Sequence, residues 1–190
     1  HVFKADEISE LHAVSFGAAA KKPTTRMVAA GYGEDAKGNI MLAVTRIDPD
    51  TLKPLWVKKH GSTGFDVAWD VVSLHNGNMG IVGDTAPGGS GPHVWLLELD
   101  ETGKINWQRT YFSDGEDTGW SLVGSPDAKM QNSGYTVAGS RKKAGAKSTA
   151  AWLMHADAAG KDVWQETATA PGGAAAYAVA RTDGGFLVAG

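Results

Sequence analysis

Val67-Ala68-Trp69-Asp70-Val71-Val72-Ser73-Leu74, followed by His75-Asn76-Gly77-Asn78 and then Met79-Gly80-Ile81-Val82-Gly83, is the stretch that decides the fold. Its first run alternates with the two-residue period of a half-buried strand, not the 3.6-residue period of a helix. The Asn/Gly tetrad accepts the positive φ values that a tight hairpin needs, and a second short apolar run follows it. Working outward, residues 94–99 and 105–111 supply two more runs, with Asp100-Glu101-Thr102-Gly103-Lys104 turning between them. Runs of this length suit strands and are too short for ordinary helices.

These four runs, a to d, recur. The third copy occupies residues 121–123, 135–138, 151–154 and 162–165, and the first occupies 11–16, 27–30, 41–47 and 55–58. The pairs Ala30-Gly31, Val82-Gly83, Ala138-Gly139 and Ala189-Gly190 are spaced by 52, 56 and 51 residues, and Trp56, Trp107 and Trp164 by 51 and 57. A period near fifty filled with short strands and Gly/Asn/Asp turns marks a radial or stacked β array. The expected fold class is therefore all-β: a β-propeller of four-stranded antiparallel blades with a period of about 50 residues, forming a single region over 1–190. Its parts are a lone d strand at 1–7, repeats at 11–60, 65–112 and 118–168, and a partial fourth repeat at 175–190 that holds only a and b. That gives fifteen strands with one c strand missing. An exposed b edge is a pairing liability, so the chain is expected to be an incomplete ring or one partner of an assembly.

Composition narrows the function. The 190 residues are 42% hydrophobic and 21% charged, as in an ordinary folded protein. Eighteen basic against 21 acidic residues leave a formal charge of -3, which creates no positive field for nucleic acid. No window approaches eighteen consecutive apolar residues, so no membrane-spanning segment is expected. Cysteine is absent, which removes thiol nucleophiles, thiolate metal sites and disulfides together. The chain starts at His1, and removal of an upstream secretory signal is the simplest account, giving a periplasmic or extracellular location.

The segment Gly61-Ser62-Thr63-Gly64-Phe65-Asp66-Val67-Ala68-Trp69-Asp70-Val71-Val72, continuing to Val82-Gly83-Asp84-Thr85, resembles the repeats of secreted bacterial β-propeller proteins. Residues 181–190 look like the same element. The resemblance covers nearly the whole chain and implies a propeller fold and export. The c–d turns Asp100-Glu101-Thr102-Gly103-Lys104-Ile105-Asn106-Trp107 and Asp157-Ala158-Ala159-Gly160-Lys161-Asp162-Val163-Trp164 are also similar to the quinoprotein-type (PQQ-type) propeller repeat, with a shorter spacer. In the first repeat Leu52 stands where that pattern has Gly. Non-catalytic relatives of that family act as scaffolds in outer-membrane assembly, and the resemblance implies a similar role.

Among the seven tryptophans, Trp56, Trp107 and Trp164 share one repeat position, and Trp95 and Trp152 share another. Recurrence at the repeat period points to packing between units, where truncation of a buried Trp costs about 3–5 kcal/mol. Trp69 and Trp120 share the a-strand position nearest the expected axis and are candidate binding residues. Arg141, Lys142 and Lys143, with Lys147, form a basic cluster in the third b–c loop. That loop is otherwise a solvated hairpin tip, and its counterparts are acidic (Glu34-Asp35) or Gly/Pro-rich (86–92). The d–a and b–c connections emerge on one face, so these loops form a surface whose chemistry changes from unit to unit.

The loop Ser113-Asp114-Gly115-Glu116-Asp117 gathers Asp114, Glu116 and Asp117 as candidate ligands for calcium, against the plainer expectation of a solvated turn. The six histidines show no i, i+2 or i, i+4 pairing, and copper chelation by His1 would need a true mature terminus. No nucleophile elbow, phosphate loop or zinc-protease helix is legible. The expected function is a non-enzymatic exported propeller scaffold that holds other protein subunits on its loop-rich face, with no cofactor beyond that calcium candidate. The alternative is a glycan-binding or enzymatic propeller whose central site, with Trp69, Trp120 and the acidic loop, is completed by blades outside this chain.

Overall fold

The computed structural model describes residues 8–19, 22–88, 91–126 and 132–190. The expected lone strand at 1–7, and His1 with it, lie outside the described residues, as do residues 89–90 of the second b–c loop.

All regular structure among the described residues is β. The first four-stranded unit consists of β1 (Glu10–Ala19), β2 (Lys22–Glu34), β3 (Ile40–Ile47) and β4 (Pro54–His60). The second consists of β5 (Gly64–Ser73), β6 (Met79–Pro87), β7 (His93–Leu99) and β8 (Ile105–Tyr111). The third consists of β9 (Glu116–Pro126), β10 (Asn132–Lys142), β11 (Ala150–Asp157) and β12 (Asp162–Ala168). A hairpin of β13 (Ala178–Thr182) and β14 (Gly185–Ala189) follows. Within each unit consecutive strands pair antiparallel as a meander. One parallel pairing, Ile40 with Phe65, joins the first two units into an eight-stranded sheet.

Several strands run longer than the sequence suggests. The expected a strand at 121–123 is the middle of β9, whose remainder carries Gly119, Gly124 and polar residues that hide the alternation. Hydrogen bonding across the meander, not hydrophobic periodicity, sets where these strands end.

The core lies between units. The first strand of each unit packs on the unit before it: β5 on β1, β2 and β3; β9 on β5, β6 and β7; β13 on β9 and β10. The two-residue period decides which neighbour each side chain meets. Ile81, Trp95 and Leu97 face the first unit with Val28, Leu42 and Val44. Val82, Val94 and Leu96 face the third with Tyr135, Val137 and Trp152. Burial on both faces is why Val94 to Leu99 reads as an unbroken buried run. Val179 closes a smaller cluster with Ala138 and Ala176.

The recurring d-strand tryptophans clasp the next unit. Trp56 lies against Gly103 and Trp107 against Gly160, the glycines of the following c–d turns. Beside the second of these, the Tyr111 hydroxyl donates to the Gly160 carbonyl at 2.7 Å. Trp164 stacks on His155 and tilts toward Phe186, leaving it 36% exposed.

Candidate functional site

Each a strand is interrupted where it faces the glycine of its b strand. Pairing skips His12 in β1, Trp69 in β5 and Trp120 in β9, so each is the extra residue of a β-bulge. The glycines of the apolar-Gly pairs make this possible. A β-carbon on Gly31, Gly83, Gly139 or Gly190 would overlap the carbonyl oxygen of Glu10, Val67, Thr118 or Ala175, each two residues before the ring-bearing residue. The repeated Gly is thus the space that lets the bulged backbone press against its neighbour.

The bulges aim their rings into one row. His12 stacks on Trp69 with centroids 4.6 Å apart and planes 11° apart. Trp69 meets Trp120 at 5.0 Å, and Trp120 meets Tyr177 at 6.0 Å. The candidate pair Trp69 and Trp120 is therefore brought together, and two members the sequence reading missed extend it. Positions 12, 69, 120 and 177 are spaced by 57, 51 and 57, a signal hidden because the ring is imidazole in the first unit and phenol in the fourth.

Polar groups tie the row down. His12 Nδ1 donates to the Ala68 carbonyl at 2.8 Å, and Trp69 Nε1 donates to Asp84 Oδ2 at 2.8 Å. Asp84 Oδ1 accepts the Gly119 amide at 3.3 Å, bridging the second and third units. Desolvation pushes the Asp84 carboxyl up to about 7, against the lowering effect of Trp69, Gly119 and Thr118. Asp70 accepts from Ser121 Oγ at 3.1 Å and from the Leu122 amide at 2.8 Å, while burial raises its pKa. Ser121 Oγ in turn accepts the Val179 amide at 3.3 Å, so side chains link successive a strands. The Trp120 Nε1 atom is buried without a hydrogen-bond partner.

The basic cluster divides. Arg141 turns into the sheet, where Nε and Nη2 donate to the two oxygens of buried Asp117 at 2.9 and 3.2 Å. Its guanidinium lies 4.7 Å from the centre of the Trp152 ring, and Nη1 donates to Gln165 Oε1 at 2.9 Å. Lys142 and Lys143 stay exposed at the loop. The same contact takes Asp117 away from Asp114 and Glu116, which are exposed. Among the described residues no group of three or more His, Cys, Asp or Glu is placed to hold a metal ion.

A cleft of about 510 Å³ lies between β4 and the second unit, lined in part by His60, Ser62, Asp66, Trp95 and Gln108. Its lining includes the β4–β5 connection and Pro87 at the end of β6, which places it at the end of the sheet where the d–a and b–c connections lie. No family model matches this chain, and neither does any curated protein.

Proposed function

We propose that the chain is a non-enzymatic β-propeller scaffold, exported from the cytoplasm, that docks another protein on the face carrying its d–a and b–c connections. The propeller reading is supported by three four-stranded meanders stacked in sequence, with first strands in mutual contact and last-strand tryptophans reaching the next c–d turn. Docking rests on one observation above all: the frame is held constant while this face changes from unit to unit. It carries Asp35 and Lys37 in the first unit, the polar-lined cleft in the second, and Lys142 and Lys143 in the third. Phe112, in the β8–β9 connection, is 68% exposed, and an aromatic side chain among charged loops suits a protein contact.

Photo-crosslinking residues placed at 37, 112 and 143 test this against controls at 101 and 158 on the opposite end. The expected result is one partner captured from the loop face alone and lost with Phe112→Asp. Equal capture from both ends would refute the docking surface. Fractionation that places the native protein in the cytoplasm would refute export.

The contact between Trp69 and Trp120 favours a second function, stacking of a glycan at the a-strand row. A specific sugar signal on a glycan array that disappears in Trp120→Ala, with loop variants unaffected, would favour that function over docking.

A further inference from the structure

The third unit contains its own ligand for a pocket that the second unit leaves open. Register fixes the correspondence. Asp117 pairs with Arg141 across β9 and β10, as Asp66 pairs with Thr85 across β5 and β6. Trp152 is opposite Gly139, as Trp95 is opposite Gly83, and Gln165 is opposite Met154, as Gln108 is opposite Leu97. The acid, the indole and the amide that surround the Arg141 guanidinium thus recur in the second unit as Asp66, Trp95 and Gln108. Only the arginine is replaced, by the short Thr85. In the first unit the corresponding positions hold Ser9, Gly33, Ala43 and Val57, so the trio is a feature of two units and not a demand of the fold.

The missing side chain coincides with space. Asp66, Thr85, Trp95 and Gln108 all line the 510 Å³ cleft, a volume within the range of small-molecule sites. In the filled copy the guanidinium makes a two-pronged contact with a carboxylate, lies against an indole and donates to an amide oxygen. Planar, delocalised Arg supports all three contacts at once and the point charge of Lys does not. Asp66 is 1% exposed, with Oδ2 on the Ser62 amide at 2.8 Å, so a buried carboxylate is already in place. Lys59, also in the lining, directs its ammonium to the Glu34 carbonyl at 2.6 Å. Desolvation lowers the pKa of His60, the other basic group there, and so favours its neutral form.

We propose that this cleft is a guanidinium site that receives an arginine side chain from a protein partner, held by Trp95, Gln108 and Asp66. The arginine's source rests on the docking function proposed above; the chemistry of the cleft does not.

The test is titration of the protein with Nα-acetyl-arginine amide, its lysine counterpart and an arginine-containing peptide, followed by NMR of the Trp95 indole and Gln108 amide. The expected result is saturable shifts with both arginine probes and none with lysine, weakened about tenfold or more by Asp66→Asn. Thr85→Arg, which installs the arrangement of the third unit, should abolish binding while keeping the fold. Shifts that are absent, equal for lysine, or unchanged in Thr85→Arg would overturn the site. Saturation by the amide alone, with no response to the peptide, would overturn the protein source. A loop-face partner that binds Thr85→Arg as well as wild type would overturn the protein source of the arginine and leave docking intact.

Discussion

The indole nitrogen of Trp69 donates a 2.8 Å hydrogen bond to Asp84, a residue only 3% exposed, whose carboxyl is pushed up to about 7 because burial disfavours its charge. An unfolded aspartate ionises near 4. Between about pH 4 and about pH 7 the folded protein therefore holds a proton that the unfolded chain has released, so stability falls as pH rises across that window and then levels off. Asp84→Asn keeps an acceptor for Trp69 but cannot ionise. Relative to wild type it should gain on the order of a few kcal/mol between pH 4 and pH 8 in urea denaturation. A constant difference across that range would contradict this account of Asp84.

Gly83→Ala and Gly139→Ala should each destabilise by about 1–3 kcal/mol, because the added β-carbon meets the carbonyl of Val67 or Thr118 and flattens the bulge. Near-UV circular dichroism should also lose the signal of the Trp69–Trp120 pair. Stability loss with that signal intact would show that the bulge does not set ring orientation.

Arg141→Ala should cost about 3–5 kcal/mol, since it strands the fully buried Asp117 carboxylate without its partner. Arg141→Lys should recover only part of this, because an ammonium cannot keep the two-pronged contact over Trp152. Thermal unfolding of the two variants against wild type is the measurement.

Leu52 has φ of 54° where the other c–d turns place Gly103 at 82° and Gly160 at 74°. A left-handed residue with a β-carbon costs about 1–2 kcal/mol, partly offset by the unfolded-state entropy of glycine. Leu52→Gly should stabilise by about 0.5–1 kcal/mol, read as a shift in denaturation midpoint. This explains why the turn motif survives in the first unit despite its odd residue.

Tyr135 of the third unit donates its hydroxyl at 2.5 Å to Glu98 of the second, which also accepts from Asn78 and Asn106. Tyr135→Phe leaves a buried carboxylate oxygen short of a donor and should cost about 1–3 kcal/mol in chemical denaturation.

The amino-acid order by itself determined the strands and their grouping into fours. Alternation and turn chemistry act over a few residues, and Val67 to Gly83 carries both in full view. It also marked Trp69 and Trp120 as a pair and singled out the repeated apolar-Gly step. Only tertiary structure decided what that step is for, because the clash it avoids is with a carbonyl on the neighbouring strand. The same holds for Arg141. In sequence it belongs with Lys142 and Lys143, yet it leaves them for Asp117, Trp152 and Gln165, between 11 and 24 residues away along the chain. A charged side chain settles where its hydrogen bonds and its desolvation are jointly satisfied, and that balance is set by the sheet as a whole.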